Sequence, residues 1–560
     1  MSTGECSGRA LDTALMRPRA LALAIAAGLG LADASIVTLA LPDILRDLNT
    51  TVEGVAAVIG AYTVVLAIAL VPFERAASAY SVRAVGAGGF ALFAVASAAC
   101  AGADDITGLL IARCVQALGA AAGLATVFDL LGGAGRGRRL WLGAAVFATA
   151  VGPAVGGALT QAFDWRAIFV FQVPFAALGA LAVLIGPVAR APIPSPERPE
   201  RFALRPALAL ALVSASLAAV LFLLVLLLVA GWNVSPLAAA GTVTVIPIAA
   251  ILGARLGGDP RTRAAAGCAL VGGGVLALAW LPNANLLWTV VPQVLAGVGM
   301  GLALPALGGE LLPERTPHDA ARLLAVRHAG IAAILAIAAP IAAHQLDVAT
   351  QTAKERGVAL VLDAPLPPQD KIRLAPALLN GVDSDQPRAG LKHAVAAERH
   401  RFSGRDLATY DDLGERADET VVTAVGEAFR SSFLLAGACG LIGALLLIAA
   451  TQLAVMAAAG ALAIATPVAY LALHNAIAPT PPAILDPCTA KRTPPQTGGV
   501  TGFLQDQALA LLDRTACRLH SSREELVLAL ADKSEAERFQ HEHGVNPRSI
   551  GGLLQALLGG

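Results

Sequence analysis

The sequence predicts an all-α polytopic membrane protein, on three observations. Of 560 residues, 56% are hydrophobic and only 14% charged, with a mean hydropathy of +0.68, too apolar for a soluble globular chain. Apolar windows of about 20 residues, enough to cross a ~30 Å hydrocarbon core as a helix, recur with short loops along most of the chain. In the short loops before His344, arginines fall almost entirely in alternate loops, the bias that orients membrane helices.

Eleven windows precede His344: Ala20 to Leu41, Val55 to Val71, Val85 to Ala101, Ile106 to Leu131, Leu140 to Phe163, Ile168 to Val188, Ala207 to Ala230, Leu237 to Leu256, Ala264 to Leu281, Leu286 to Leu307 and Arg327 to His344. The first, behind Arg9, Arg17 and Arg19, reads as an uncleaved span; the other reading is a signal peptide with Ala32 and Ala34 as its cleavage site. With the amino-terminus inside, cytoplasmic loops collect eighteen arginines, including Arg75, Arg83, Arg136, Arg138, Arg139, Arg190, Arg198, Arg201, Arg255, Arg261, Arg263, Arg315, Arg322 and Arg327. The outer short loops hold only Arg46 and Arg166. One missed span would invert every later loop, so this asymmetry also supports the span count.

After His344 a polar stretch runs to about Arg430, too long and too helix-patterned to be a simple connector; it is expected outside the cell. The charge-free run from Ser432 to Leu473 is twice the length of one crossing, and a tight hairpin of two spans is preferred over one long helix. The hairpin puts the tail outside, and a single span puts it inside. A Pro-rich linker, "APTPPAILDPC", then leads to helical patterns in "GFLQDQALALLDRTACRL" and "SREELVLALADKSEAERFQ", the second opened by Ser522 and Glu525 as a capping box. A third short helix is expected from Asn546 and Pro547. Cys488 and Cys517 share this module, as a disulfide or as two free thiols. The domain reading is therefore a six-helix bundle over 1–189, a cytoplasmic linker over 190–206, five spans over 207–345, an outer helical insertion over 346–430, the last spans over 431–475 and a helical module over 476–560.

Composition excludes several function classes. Formal net charge is zero, so no nucleic-acid partner is implied. No CxxC, Walker A loop or HExxH is present, which argues against a zinc or redox site, ATP-driven pumping and metalloprotease chemistry. No enzyme activity, cofactor or metal is expected. His541 and His543 in "QHEHG" read as a solvated helix end before they read as metal ligands.

Chemistry must lie in polar or small residues at membrane depth. In the fourth span "LLIARCVQALGAAAG" sets Arg113, Gln116 and Gly119 on one helical face, and a guanidinium in lipid is costly unless paired or facing water. Asp33 in the first span lies at nearly the same depth, about 10 to 12 Å below the outer surface. A carboxylate beside a guanidinium stays ionised, and burial away from one favours the neutral acid. The pair is thus either a proton carrier and its tuning partner or a static structural ion pair. In the fifth span "AVFATAVGPAVGGALT" spaces Ala148, Gly152, Gly156 and Thr160 four apart, a ridge for close helix contact, with Pro153 removing a backbone donor. Gly297 and Gly301 in span ten read as packing. Asp129 is expected to pair with Arg138 or Arg139 as a gate or capping contact. Gln172 and Asn233 either line a cavity or bond neighbouring helices.

Together "DASIVTLALPDILRDL", "LIARCVQALGAAAG", "AVGPAVGG" followed by "DWRAIFVFQVP", and "NVSPLAAAG" resemble the major facilitator superfamily, specifically its drug:proton antiporter branch, over about Ala20 to His344. The resemblance implies a major facilitator fold of two six-helix bundles around a central cavity, here with a thirteenth span. It further implies alternating access and exchange of a proton for a substrate. Asp33 and Arg113 match the motif residues of the first and fourth spans, and Gly152, Pro153, Gly156 and Gly157 the antiporter motif of the fifth. The branch's gate loop between spans two and three is degraded: Glu74, Ser78 and Ser81 stand where glycine, aspartate and glycine are usual, with Arg75 and Arg83 remaining. The loop after span eight retains Arg255, Asp259, Arg261 and Arg263 as a pseudo-symmetric version.

The reading that follows is a proton-coupled antiporter of the bacterial cytoplasmic (inner) membrane, a multidrug-efflux type exporting amphipathic or cationic small molecules. Asp33 and Arg113 carry the coupling, and Gln116, Gln172 and Asn233 line the substrate cavity. Its partners are a small-molecule substrate, protons and the lipid bilayer, with an extracellular protein partner a further expectation for the outer loop and tail. Two alternatives stand beside it: a transporter-derived receptor or scaffold acting through the soluble modules, and a metabolite symporter on the same fold.

Overall fold

The computed structural model describes residues 3–131, 140, 152–185, 203–312, 316–371, 374, 387–448, 452–490, 492, 495 and 499–549. Among them there is no strand. The first bundle comprises α1 (Thr3–Thr38), the short α2 (Leu41–Asp47), α3 (Val52–Ala79), α4 (Val82–Ala101), α5 (Ile106–Leu131), α6 (residues 152–162) and α7 (Arg166–Leu184). The second comprises α8 (Leu204–Leu226), α9 (Pro236–Val243), α10 (Val245–Gly253), α11 (Pro260–Ala277), α12 (Leu287–Pro305) and α13 (Pro317–Asp363). Then follow α14 (Pro387–Glu398), α15 (Gly404–Leu447), α16 (Leu453–Ile477), and a tail of α17 (Gly499–Arg518), α18 (Arg523–Ala531) and α19 (Lys533–His543). Twelve helical segments among the described residues are long and apolar enough to cross a membrane. The fifth expected span is described only at residue 140 and over residues 152–163, and most of the expected linker, together with Arg136, Arg138, Arg139, Arg190, Arg198, Arg201 and Arg315, lies outside the described residues.

Polar caps set where the spans begin. Thr51 accepts from Gly54 N, Ser81 from Ala84 N, Ser235 from Ala238 N and Asp259 from Thr262 N, each satisfying a backbone donor that the first helical turn leaves free. Thr316 and Asp319 form a full capping box. The eighth span divides into α9 and α10 at Thr244, where Pro247 has no N–H to return to Val243. On the face opposite the loop arginines Arg75, Arg83 and Arg255, α2 is pinned to α7. Trp165 and Arg166 both donate to Asp47, at 2.9 and 2.6 Å, and these bonds hold its carboxyl below the usual carboxylate range.

Small residues let the helices approach closely, as expected where lipid supplies no hydrophobic force between them. A Cβ on Gly89 would stand 2.5 Å from Gly123 N across α4 and α5, and one on Gly267 would stand 2.6 Å from Gly299 O across α11 and α12. The same close contact recurs at matching places in the two halves. Gly297 and Gly301 abut the carbonyls of Ile246 and Ala250, so they serve packing, as read.

The run after Arg430 is two helices, not one. Gln452 at the start of α16 donates to Thr262 Oγ1 on the arginine-rich face, at 3.0 Å. At its other end His474 bonds Leu281 O and accepts from Arg430. Helix α16 therefore runs from the arginine-rich face to the opposite one and delivers the tail there. There Arg523 pairs with Asp363, and Gln351 donates to Glu535.

Several boundaries differ from the sequence reading. The insertion is not separate from the spans: α13 continues through Pro340 to Asp363 and α15 starts at Gly404. The expected helix over "SREELVLALADKSEAERFQ" splits at Asp532, whose carboxylate caps α19 through Ser534 N. At Asn546 to Ser549 the chain makes a turn, not the expected helix start: Asn546 Oδ1 accepts from Arg548 N in an Asx-type bond. Cys488 and Cys517 are bridged, with Cα atoms 5.0 Å apart.

Two outcomes follow. Gly156→Ala pushes a methyl into the Ile36 backbone, and should lower the thermal stability of the purified protein by about 1–3 kcal/mol; Gly60→Ala, in the interior of α3 with nothing within 4 Å of the new carbon, should hold or slightly raise the melting temperature. In intact cells, Lys533→Cys, 86% exposed in the tail, should react with a membrane-impermeant maleimide, and Arg255→Cys should react only after permeabilisation.

Candidate transport site

Asp33 and Arg113 meet in the first bundle. Arg113 Nη2 lies 2.6 Å from Asp33 Oδ2, and both side chains are fully buried. The contact is one edge of a closed ring. Arg113 Nη1 donates to Gln116 Oε1 at 2.5 Å, Gln116 Nε2 to Gln172 Oε1 at 2.7 Å, and Gln172 Nε2 to Asp33 Oδ1 at 2.9 Å. Helices α1, α5 and α7 are thereby joined. Gln116 also donates to Ser97 on α4 at 2.8 Å, and Arg113 Nε to Val58 O on α3 at 3.1 Å. Tyr62 and Phe169 lie against the guanidinium, their ring centres 4.4 and 5.7 Å from its carbon. Such satisfaction is what a buried charge pair requires, since removing either partner leaves an uncompensated charge.

The neighbouring space between the bundles is a separate chamber. It is walled by α1, α3 and α6 on one side and by α8, α9, α10, α12 and α13 on the other, with Leu31, Ala34 and Ser35 presenting the face of α1 adjacent to Asp33. Its walls are chiefly aliphatic. Gln116 and Gln172, expected at the cavity, are instead fully buried in the ring, because their amides complete the coordination of the ion pair. Asn233 does not line the chamber either: it is exposed beyond the end of span seven with φ 58°, a left-handed position that asparagine tolerates. Gly152 and Gly156 let α6 lie against Ser35 and Ile36 of α1, while Gly157 faces Ala240 of α9 across the bundle boundary. The antiporter motif therefore packs at the joint of the two halves, with Pro153 in the chamber wall.

The gate residues are distributed differently from the sequence expectation. Arg75 and Arg83 are exposed, and Asp129 is half-buried near the end of α5, with its expected partners outside the described residues. Glu74, standing where the family's loop has glycine, bonds His318 Nδ1 at 2.8 Å and accepts from Ser78. This links the two bundles on the arginine-rich face. Across the opposite face Gln161 Oε1 accepts from Leu237 N at 3.2 Å. In the pseudo-symmetric loop Arg255 is exposed. Asp259 caps α11, its carboxyl held below the usual range by the Thr262 backbone N–H, and the ion pair there is Arg263 with Glu310, at 2.8 Å.

Sequence reasoning missed Glu74 with His318 and misplaced Arg327. Nothing local joins Glu74 to a histidine 244 residues later. Arg327 was assigned to a cytoplasmic loop because the apolar window begins there; the Thr316 capping box starts α13 ten residues earlier, and Arg327 and His328 line the chamber. In the tail, His543 joins Glu525 and Glu542 in a group whose ligand atoms lie within 4.8 Å of one another, whereas His541 is exposed.

Comparison with known proteins agrees with this architecture. The chain is 36% identical over 165 residues to a multidrug resistance protein, Stp, of Mycobacterium tuberculosis, covering 28% of this chain and 31% of that one. It is 29% identical over 159 residues to a methylenomycin A resistance protein of Bacillus subtilis, covering 27% and 34%. With a tetracenomycin C resistance and export protein of Streptomyces glaucescens it shares 30% over 174 residues, covering 30% and 32%. The chain thus aligns with about a third of the length of these curated relatives. Among solved structures, a bacterial homologue of the human lysosomal transporter Spinster, inward-facing and occupied, superposes with a TM-score of 0.54 at 15% identity, covering 77% of this chain and 95% of that one; the likeness concerns the fold. Residues 23–343 match the model of the Major Facilitator Superfamily, more than half of the chain, and the chain belongs to that superfamily.

Proposed function

We propose that the protein is a proton-coupled antiporter that exports small amphipathic molecules across a bacterial cytoplasmic membrane by alternating access. One observation carries the reading: a fully buried carboxylate, Asp33, bound to a fully buried guanidinium, Arg113, one helix face away from the inter-bundle chamber. A static pair at membrane depth is a costly way to hold helices together, since apolar packing of similar shape does as well. The pair makes sense as a switch. When Asp33 takes a proton, Arg113 loses its counter-charge but keeps Gln116, the Val58 carbonyl and the Tyr62 ring face, so the guanidinium remains solvated by the protein. Gln172 retains its bond to the neutral acid through Oδ1. Protonation then loosens α1 against α5 without leaving a naked charge.

Helix α1 also forms a wall of the chamber and lies under the glycine ridge of α6. Its movement is thereby passed to the joint between the bundles. Alternating access requires the Glu74–His318 and Gln161–Leu237 contacts between the halves to break in turn. The resistance and export proteins among the relatives support drug-like cargo.

Inside-out vesicles under an imposed pH gradient test the coupling with a panel of charged and neutral amphipathic dyes. The native chain should accumulate at least one dye class in a gradient-dependent manner, and Asp33→Asn should abolish this while inserting normally. A native chain without any gradient-dependent signal would sink the antiport reading and favour a receptor role. Arg113→Gln strands the Asp33 charge and should cost about 3–5 kcal/mol of stability. The double variant Asp33→Asn/Arg113→Gln should recover most of that in thermal melting while remaining inactive in transport.

A further inference from the structure

The chamber contains a cation that the coupling ring does not use. Arg327 lies on α13 ten residues past its capped start, roughly 15 Å along the helix, and its side chain lines the chamber. Among the described residues it has no hydrogen bond or ion pair. The nearest elements supply no counter-charge: α8, α9, α10, α11 and α12 contain no aspartate or glutamate. The acids closest in the fold are already engaged, Asp33 with Arg113, Glu74 with His318, Glu310 with Arg263 and Asp319 with Thr316.

Further polar groups face the same space. His328, buried, lines the chamber and bonds Leu324 O through Nδ1 at 2.7 Å. Ser214 Oγ, also in the wall, is buried without a hydrogen-bond partner. Ser35 and Thr38 of α1 also line it, with their hydroxyls donating to the Ala32 and Ala34 carbonyls, and the rest of the wall is apolar, with Leu221, Phe222, Ile246 and Met300 among its residues. A guanidinium and an unsatisfied hydroxyl in an aliphatic chamber form a receptor for one anionic group on an apolar body, since a charge at this depth is tolerated only when something neutralises it.

We propose that the chamber binds amphipathic organic monoanions, carboxylates or phenolates, with Arg327 as the counter-charge and Ser214 as a donor to the same group. This deepens the transport reading above and rests on it for the role of the chamber. It also reverses the charge expected from the sequence, because Arg327 repels the lipophilic cations that an acidic cavity would attract. A guanidinium pairs two oxygens at once, which suits a carboxylate better than a point charge does.

The test uses the full chain in nanodiscs and three probes with one aromatic body: naphthaleneacetate, naphthaleneacetamide and trimethyl(naphthylmethyl)ammonium, with affinities measured by calorimetry. The carboxylate should bind at least tenfold more tightly than the amide, and the ammonium should bind more weakly still. Arg327→Gln should erase the preference for the carboxylate, and Arg327→Lys should keep part of it. Ser214→Ala should weaken carboxylate binding a few-fold without changing the order. Equal affinity for carboxylate and amide, tighter binding of the ammonium, no binding of any probe at millimolar concentration, or a carboxylate preference that survives Arg327→Gln would each overturn the proposal. Vesicle transport separates the two readings: a carboxylate preference retained in a chain that shows no gradient-driven transport sinks antiport alone, and gradient-driven transport of the ammonium dyes without that preference sinks this proposal alone.

Discussion

The buried contact between Asp33 and Arg113 constrains the first bundle more than any other interaction. A guanidinium with no access to water must be met on every side, and five helices contribute to meeting it: α1 with the carboxylate, α3 with the Val58 carbonyl and the Tyr62 ring, α4 with Ser97 through Gln116, α5 with Gln116 itself, and α7 with Gln172 and Phe169. Each bond has a direction, so the ring fixes how these helices are rotated about their axes, which apolar packing among Ala, Leu and Val leaves loosely specified. The glycine contacts supply the complementary constraint. They set how near the axes come, as where Gly89 and Gly123 let α4 and α5 touch backbone to backbone.

The two halves meet along α3 and α13, which pack against each other over much of their length, and hydrogen bonds join them at both faces. On the arginine-rich face the described hydrogen bond between them runs from His318 to Glu74, and on the other from Leu237 to Gln161. The first lies at the end of α3, beside the loop between spans two and three, and joins that end to the start of α13.

Outside the apolar layer the physics changes. The extensions of α13 and α15, with α14 and the tail, are tied by ion pairs: Arg388 to Asp418 at 2.7 Å, Arg399 to Asp411 at 2.8 Å, and Arg523 to Asp363 at 2.8 Å. Arg388 also donates to the Trp232 carbonyl at the end of span seven, linking this assembly to the transport core. The tail has a small core of its own, with Ala516, Leu526, Ala529, Ala536 and Phe539 buried together, and the bridge between Cys488 and Cys517 ties its entry strand of chain to α17. A core of this size needs such a staple.

The sequence by itself determined that the chain is a run of membrane helices and that Asp33 and Arg113 pair, because these depend on local hydropathy and on the high cost of placing either charge alone in lipid. The length of the charge-free run after Ser432 likewise carried the two-span ending. Tertiary structure decided which polar residues share a space. Gln116 and Gln172 turned from the cavity to the ion pair, Asn233 fell outside it, and Glu74 found His318 across the bundle boundary. Arg327, placed by its apolar neighbours at the edge of a loop, became the chamber's charge because a capping box at Thr316 began its helix earlier. A helix's rotation and its partners across hundreds of residues follow from contacts with other helices, and no local pattern encodes them.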